Sequence, residues 1–568
     1  MSIPDWFVLG ITLLSIVSYG IWKSRGAKNI EGFLLADKQL PWYHVGLSVM
    51  ATQASSITFI SAPGQAYTDG LRFIQFYFGL PLAMVVLCIT FIPIFQKLNV
   101  FTAYEYLEKR FDVKTRSLTA FLFLLQRGLS TGVTIYAPSI ILSAILNIDI
   151  VYTTVLMGTL VILYTVYGGT KAVSYTQLFQ MSVIFAGLFM AAYMVVHLLP
   201  AGVGFTDALH IAGKLNKLNA IDTHFDLNNR YNLWSGIIGG FFLQLSYFGT
   251  DQSQVGRYLT GKSIAQSRLG LIMNGFVKIP MQFLILLIGT LVLSFYQFHR
   301  PPVFFNKVEV QRIEESPYKT EFENLESRYD LANASKQKQV EVLVSAIHSD
   351  KEEDVNRART LLQEADGKSQ AIRKEVAALM LKNNPKADTN DSNYVFLSFV
   401  TTYLPVGLIG LLVAIIFLAS MGSTASGLNS LASTTVIDFY RRFYSRDAPP
   451  SRYLAASRWA TVFWGIFCII VALYAHKLGN LIEAVNILGS LFYGTILGIF
   501  LVAFYIKKVG GTAVFFAAVL AECFVVVSAI FNLSAFLWLN VIGCLLVILF
   551  AVLLEYTFFP SVERDTLD

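Results

Sequence analysis

The chain has 568 residues, of which 55% are hydrophobic, 14% aromatic and 14% charged, with a formal net charge of +6. A composition this apolar at this length excludes a soluble protein and makes the lipid bilayer the solvent. Hydrophobic stretches of roughly 20 residues recur along nearly the whole length, each long enough to cross about 30 Å of hydrocarbon as a helix, so an all-helical integral membrane bundle follows rather than a barrel.

In chain order, about 13 spans are predicted. They lie near residues 4–22, 40–62, 72–95, 118–146, 150–167, 173–199, 232–255, 266–298, 398–437, 453–475, 480–506, 512–531 and 535–559. The first has no basic segment before it and no small-residue cleavage site after it, and is expected as a retained helix. Lys23, Arg25, Lys28 and Lys38 follow the first span, Lys97, Lys109, Arg110, Lys114 and Arg116 the third, and Arg257, Lys262 and Arg268 lie around the loop after the seventh. Arg441, Arg442, Arg446 and Arg452 follow the ninth, and Lys507 and Lys508 the eleventh, whereas the loops around Asp149 and Asn532 carry no Lys or Arg. Every second loop is therefore basic, which predicts a multi-pass cell-membrane protein with its N-terminus outside and its C-terminus cytoplasmic.

The second span reads VGLSVMATQASSITFISAPG, with Ser48, Thr52, Gln53, Ser55, Ser56 and Thr58 inside hydrocarbon before Pro63 and Gly64. The seventh reads WSGIIGGFFLQLSYFGTDQSQ, with Gly236, Gly239, Gly240, Gln244, Gly249 and Asp251. Each is the first of five consecutive spans, so two five-helix repeats of opposite topology with interrupted leading helices are expected. Close packing of small residues is the competing explanation. Gly256, Gly261, Lys262 and Ser263 satisfy the GxxxxGKS phosphate-loop pattern, but a membrane helix precedes it rather than a strand. Neither nucleotide nor nucleic acid is expected as a partner, and Arg257 and Lys262 read as positive-inside residues. Lys278 falls about ten residues inside the eighth span, where it must pair with a carboxylate or a substrate unless it snorkels to the surface.

Residues 299–393 break the apolar pattern, being dense in Glu, Lys, Asp and Asn. Helical spacing runs over Ser335 to Ala365 and Gln370 to Leu381, and Asn383, Asn384 and Pro385 end a helix, so a helical outer cap is expected; no protein partner for it is identified. Residues 418–440 read LASMGSTASGLNSLASTTVIDFY, too rich in hydroxyls to face lipid. A sodium ion wants about five or six oxygens, which the carbonyls of an unwound helix and the hydroxyls of a neighbour can supply; alternatively these hydroxyls satisfy their own helix carbonyls. Cys88, Cys468, Cys523 and Cys544 all lie in apolar segments, and the histidines show no HExxH or HxH spacing, so neither redox nor metallohydrolase chemistry is expected and the protein is not read as an enzyme. Glu522 and Glu555 read as packed or interfacial.

The pieces FLLADKQLPWYHVGLS (Phe33 to Ser48), TAYEYLEKRF (Thr102 to Phe111), YGGTKAVSYTQLFQ (Tyr167 to Gln180), TDQSQVGRYL (Thr250 to Leu259) and LNSLASTTVIDFY ending at Tyr440 resemble, in this order, the sodium/solute symporter family, which includes sodium-glucose, proline and sialic acid carriers. The resemblance covers nearly the whole chain outside residues 299–393 and implies a LeuT-type core of inverted five-helix repeats, preceded by one span and followed by two. It implies a sodium site made of the carbonyls of Ala51, Ala54 and Ala419 and the side chain of Ser423. The family often has a second hydroxyl directly before that serine, where this chain has Gly422, and some members have an aspartate in a YTD motif that here reads Tyr175, Thr176, Gln177. One co-transported sodium per cycle is therefore expected. The resemblance places substrate contacts at Gln53, Thr58, Tyr77, Asp251 and Gln252, with Lys278 beside them, and Asp251 with Lys278 points to a polar or zwitterionic solute.

The expected organisation is a leading helix and cytoplasmic loop over 1–39, the first repeat and the start of the second over 40–298, the polar insertion over 299–393, the rest of the second repeat over 394–508, and two terminal helices with a short tail over 509–568. The expected function is sodium-coupled import of a small organic solute such as a sugar, carboxylate or amino acid. A sodium-independent uniporter or channel of the same fold is the alternative.

Overall fold

The computed structural model describes residues 1–24, 38–98, 100–349, 351–385 and 387–559, without the side chains of 17, 20–24 and 167–174. Arg25, Lys28, Phe33 to Asp37 and the side chains of Lys23 and of Tyr167 to Ser174, all part of the sequence reading, lie outside that description. Among the described residues every regular element is helical, and the β pairing is a single bridge between Leu40 and Gly261. Among the described residues nine helices are long and apolar enough to cross a bilayer, with two shorter apolar ones at Ile3–Ile16 and Ile150–Val166.

The principal helices are α1 Ile3–Ser24, α2 Trp42–Gln53, α3 Ser56–Asp69, α4 Val113–Leu146, α5 Ile150–His197, α6 Gly240–Thr250, α7 Gln252–Tyr258 and α8 Ile264–Phe298. They continue with α9 Lys319–Ser349, α10 Glu352–Asn383, α11 Ser392–Tyr403, α12 Leu408–Thr434, α13 Pro450–Leu473, α14 Leu481–Tyr505, α15 Gly511–Ile530 and α16 Phe536–Thr557. Their ends follow local chemistry. Asp112 opens α4 by accepting the Thr115 N–H at 2.8 Å, and Asn147 closes it in the left-handed region at φ 54°. Asn480 opens α14 by accepting the Ile482 N–H at 3.1 Å.

Three expectations about spans change. The stretch expected as one span over 398–437 is two helices, because Pro405 and Gly407, the latter at φ +89°, end α11 and restart the chain as α12. Beyond α12 the helical backbone continues with wider turns through Thr435–Tyr444. The two spans expected over 150–167 and 173–199 share uninterrupted helical backbone, the 48 residues of α5. That helix is not straight: the Tyr164 hydroxyl lies 3.2 Å from the Thr176 hydroxyl, whereas twelve residues of straight helix would separate them by about 18 Å. The helix therefore bends sharply between them. Finally, the helical run expected over Ser335 to Ala365 is divided, with α9 ending at Ser349 and α10 beginning at Glu352. Glu352, Glu353 and Asp354 in its first turn complement the positive end of a helix dipole.

The insertion is a hairpin of α9 against α10 with apolar seams of its own, one around Phe322, Tyr329, Ile372 and Val376, the other around Val340, Leu343 and Leu362. It is fastened to the bundle: Gln311 accepts from the Asn147 amide at 2.6 Å, Arg312 meets Asp149 at 2.5 Å, Gln363 donates to the Lys214 carbonyl at 2.8 Å and Arg373 holds Asp391 at 2.7 Å. The N-terminus lies at this same end, where the buried Asp5 carboxylate accepts the Gly407 and Gly410 N–H groups at 2.6 and 3.3 Å. The opposite end gathers basic residues: Arg110 donates to the Lys507 carbonyl, Arg116 pairs with Glu108, and Arg442 with Glu108.

Candidate functional site

Between α2 and α3 the helix stops for two residues, Ala54 at φ −80°, ψ 80° and Ser55 at φ −84°, ψ 174°. The Ser55 N–H, which would reach the Ala51 carbonyl in a continuous helix, donates instead to Gln53 at 3.0 Å, and the Thr58 N–H takes Ser55 rather than Ala54. The Ala51 and Ala54 carbonyls are thereby released from helical pairing. No side chain caps the start of α3 at Ser55. The polar Thr–Gln–Ala–Ser–Ser stretch explains why it forms: short hydroxyl and amide side chains compete with helical hydrogen bonds.

The hydroxyl-rich face of α12 packs against this region. Thr52 and Ser426 hydroxyls are 3.3 Å apart, and the Gln177 amide of α5 ties the helices together by accepting from Ser48 at 2.7 Å and donating to Thr52 and Ser426 at 3.4 and 3.3 Å. Ser423, one turn from Ser426, donates to the carbonyls of Ala419 and Ser420 at 2.9 and 3.2 Å, so the hydroxyl and the Ala419 carbonyl are neighbours. At Gly422 a methyl group would sit 2.8 Å from the Gln180 side-chain oxygen, the movable end of a flexible side chain.

A cavity of about 80 Å³ lies beside the break, bordered by Gln53, Thr58 and Tyr77, by Arg127 of α4, and by the rings of Tyr247 and Tyr493. Asp251 adjoins it at the α6–α7 interruption, where the backbone turns extended at φ −77°, ψ 118°. Its carboxylate caps α7 by accepting the Ser253 N–H at 2.8 Å, receives the Tyr493 hydroxyl at 3.0 Å, and pairs with the Arg127 guanidinium. Gln252 points elsewhere: its amide bonds the Phe101 carbonyl and the Ala103 N–H at 2.8 and 3.1 Å. Lys278 is fully buried on α8, with its ammonium nitrogen 6.0 Å from the Tyr77 ring centre. It does not snorkel.

Thus Gln53, Thr58 and Tyr77 are brought to one cavity, Asp251 and Lys278 adjoin it, and Gln252 does not reach it. Arg127 went unread in the sequence although it interrupts the apolar run FLFLLQRGLSTG, the signal of a functional or paired charge inside a span. Arg257, expected among the loop cations, is 3% exposed and donates to the Ser426 hydroxyl at 2.6 Å, because α7 holds it inside the bundle, while Lys262 is exposed. The cysteines form no disulfide; Cys88, Cys468 and Cys544 are buried, but Cys523 is on the exposed face of α15. Glu555 is buried and accepts the Gly510 N–H at 2.8 Å.

Membrane-crossing helices interrupted beside a cavity are the architecture of a secondary transporter. The sequence profile of the sodium:solute symporter family matches residues 33–307 and 377–521, and the chain belongs to that family. It is 32% identical to the human sodium/iodide cotransporter over 273 residues, an alignment that covers 48% of this chain and 42% of that protein. It is 25% identical to the sodium/glucose cotransporter of Vibrio parahaemolyticus, covering 89% and 82% of the two, and 23% identical to the sodium/sialic acid symporter NanT of Aliivibrio fischeri, covering 99% and 95%. Its fold is shared with a solved sodium-coupled sialic acid symporter, bound to substrate and open outward, at a TM-score of 0.75, with 21% identity and 98% of both chains covered.

Proposed function

We propose that the protein carries a small organic solute into the cell together with one sodium ion, by alternating access. The observation that carries this reading is the uncapped break at Ala54–Ser55 packed against the hydroxyl face of α12. Sodium is held by the carbonyls of Ala51, Ala54 and Ala419 and by the Ser423 hydroxyl, which exchanges its bonds to α12 for the ion. One ion per cycle is supported by Gln177, a neutral amide already engaged by Ser48, Thr52 and Ser426. The solute occupies the cavity beside Gln53, Thr58 and Tyr77, with Lys278 behind the Tyr77 ring; Asp251 sets the shape of the cavity through Arg127, and Gln252 braces the segment before Tyr104.

The two interruptions head two inverted repeats of a LeuT-type core, and the sharp bend in α5 supports the count of 13 crossings. The basic end of the bundle is cytoplasmic, which places the N-terminus and the insertion outside and the C-terminus inside. Sodium joining α2–α3 to α12 favours the conformation that admits solute from outside, and occupancy of both sites favours inward opening; coupling is the difference in affinity between the two states. The GKS run leads from helix α7 into helix α8, a setting that supports no nucleotide role. Ser423 bonded to its own helix favours a second reading, a sodium-independent uniporter.

Uptake into cells should rise with external sodium and fall when choline replaces it. Ser423→Ala should raise the sodium concentration for half-maximal uptake while leaving folded protein in the membrane; an unmoved curve removes Ser423 from the site.

A further inference from the structure

At the basic end of the bundle a cleft of about 720 Å³ opens between the short helix Tyr104–Arg110, the start of α4 and the wide-turn extension of α12. Five cations border it: Lys109, Arg116, Arg441, Arg442 and Arg446. The acids beside them are already engaged. Glu108 takes Arg116 on one oxygen and Arg442 on the other, each at 2.7 Å. Glu105 accepts the Phe101 N–H at 2.9 Å and stands 3.8 Å from Arg116, and the buried Asp438 takes Arg116 as well, at 2.7 Å. Among the described residues Lys109, Arg441 and Arg446 pair with no carboxylate, and their side chains donate no hydrogen bond. Three positive charges are therefore left over around one cleft.

The two arginines are nonetheless held in place. The Tyr453 hydroxyl donates to the carbonyls of Ser445 and Arg446, at 2.7 and 2.8 Å, and accepts the Ala448 N–H at 3.3 Å, so the turn beyond the helix is wound round one buried side chain. The Arg441 guanidinium lies 5.9 Å from the centre of the same ring. Positioned guanidinium groups without an acid partner suit a phosphate, whose oxygens accept paired N–H bonds from each.

Two features point to a phosphate carried by a lipid. Phe443 and Tyr444, on the same turn as the cations, are 61% and 83% exposed, the placement of rings that sit at headgroup depth. The arginines also fall at the end of a helix long and apolar enough to cross the bilayer, where basic clefts between helices meet anionic headgroups. The cleft is separate from the cavity beside the break: Arg116 and Arg127 lie eleven residues apart on α4, about 16 Å.

We propose that this cleft is a binding site for an anionic phospholipid, its phosphate held by Arg441 and Arg446 together with Lys109. A lipid seated there bridges the Tyr104–Arg110 helix to the extension of α12. The leaflet is the cytoplasmic one in the orientation proposed above; binding itself depends neither on that orientation nor on the ion and solute sites.

The test follows thermal unfolding of the full-length protein in detergent as phosphatidylglycerol or phosphatidylcholine is added to the micelles. Phosphatidylglycerol should raise the midpoint above its value in phosphatidylcholine. Arg441→Gln with Arg446→Gln, both at exposed positions, should need on the order of thirtyfold more phosphatidylglycerol for the same rise, while unfolding at the wild-type midpoint in phosphatidylcholine. Should the double variant be less stable in phosphatidylcholine, Arg446→Gln alone carries the comparison, with about a fivefold loss expected. Lys262→Gln with Lys507→Gln removes the same charge from the same end outside the cleft and should leave the response intact. An equal loss in both double variants shows diffuse attraction and overturns the site, as does a response that survives the arginine variants or a midpoint that does not distinguish the two lipids. Glycerol 3-phosphate is the soluble arm: a rise as large as the lipid's at the same concentration, lost in the arginine variants, assigns the cleft to a free phosphate and overturns the lipid.

Discussion

The two interrupted spans break at corresponding places and are finished in opposite ways. At α6–α7 the extended residue is Asp251, whose own carboxylate caps the next helix and is neutralised by Arg127. At α2–α3 the extended residues are Ala54 and Ser55, no side chain caps the start of α3, and two carbonyls are left over. A helix end that the protein caps for itself is a structural joint, whereas one left open in the bilayer interior asks for a ligand. The same device is thus a self-capped elbow at one break and, in the function proposed above, a binding site at the other.

Removing the acid from the closed break should have the largest effect. Asp251→Ala leaves Arg127 buried and unpaired and should cost about 3–5 kcal/mol of stability, while adding Arg127→Met should restore most of it. A double variant as unstable as the single one would mean that the ion pair is not what closes this break. The open break is probed through its packing. Gly289→Ala forces α8 away from the Pro63 carbonyl and should cost about 1–3 kcal/mol and shrink the midpoint rise caused by sodium. Unchanged values for both would deny the backbone contact that sets the register.

How much of this contrast was legible in the sequence differs between the two breaks. The glycines and hydroxyls of both spans marked where helices are interrupted, and the Asp251 carboxylate stood out beside them. Its partner did not, because Arg127 lies in α4, more than a hundred residues away in sequence. Span boundaries were the other loss. Arg257 looked like a loop cation until α7 was seen to carry it inward, and Gln252, one residue past the break, faces the opposite way from Asp251. Periodicity ran through Pro405 and Gly407 and through Lys351, where the turn chemistry, not the hydrophobic pattern, held the information.

The insertion offers a reference with no break, and the smallest effect is expected there. Burial pushes the Asp388 carboxyl up to about 7. The folded protein then holds that proton more tightly than the unfolded chain, so its stabilising contribution is complete below the ordinary carboxylate range and is lost as pH rises through about 7. The unfolding midpoint should fall between about pH 4 and pH 7, and Asp388→Asn should flatten the fall without altering the response to sodium. A sodium response that changes with Asp388→Asn would show that the insertion and the open break are energetically linked.

Asp5 grips the amide groups of Gly407 and Gly410, and from Gly407 sixteen residues of chain, about 24 Å if helical throughout, lead to Ser423. An affinity tag or fluorescent fusion joined ahead of Met1 would thus hang from the top of the helix that carries Ser423. Such a fusion would load the molecule as a weight loads a pulley, and assays of ion dependence are better made with the label at the other terminus.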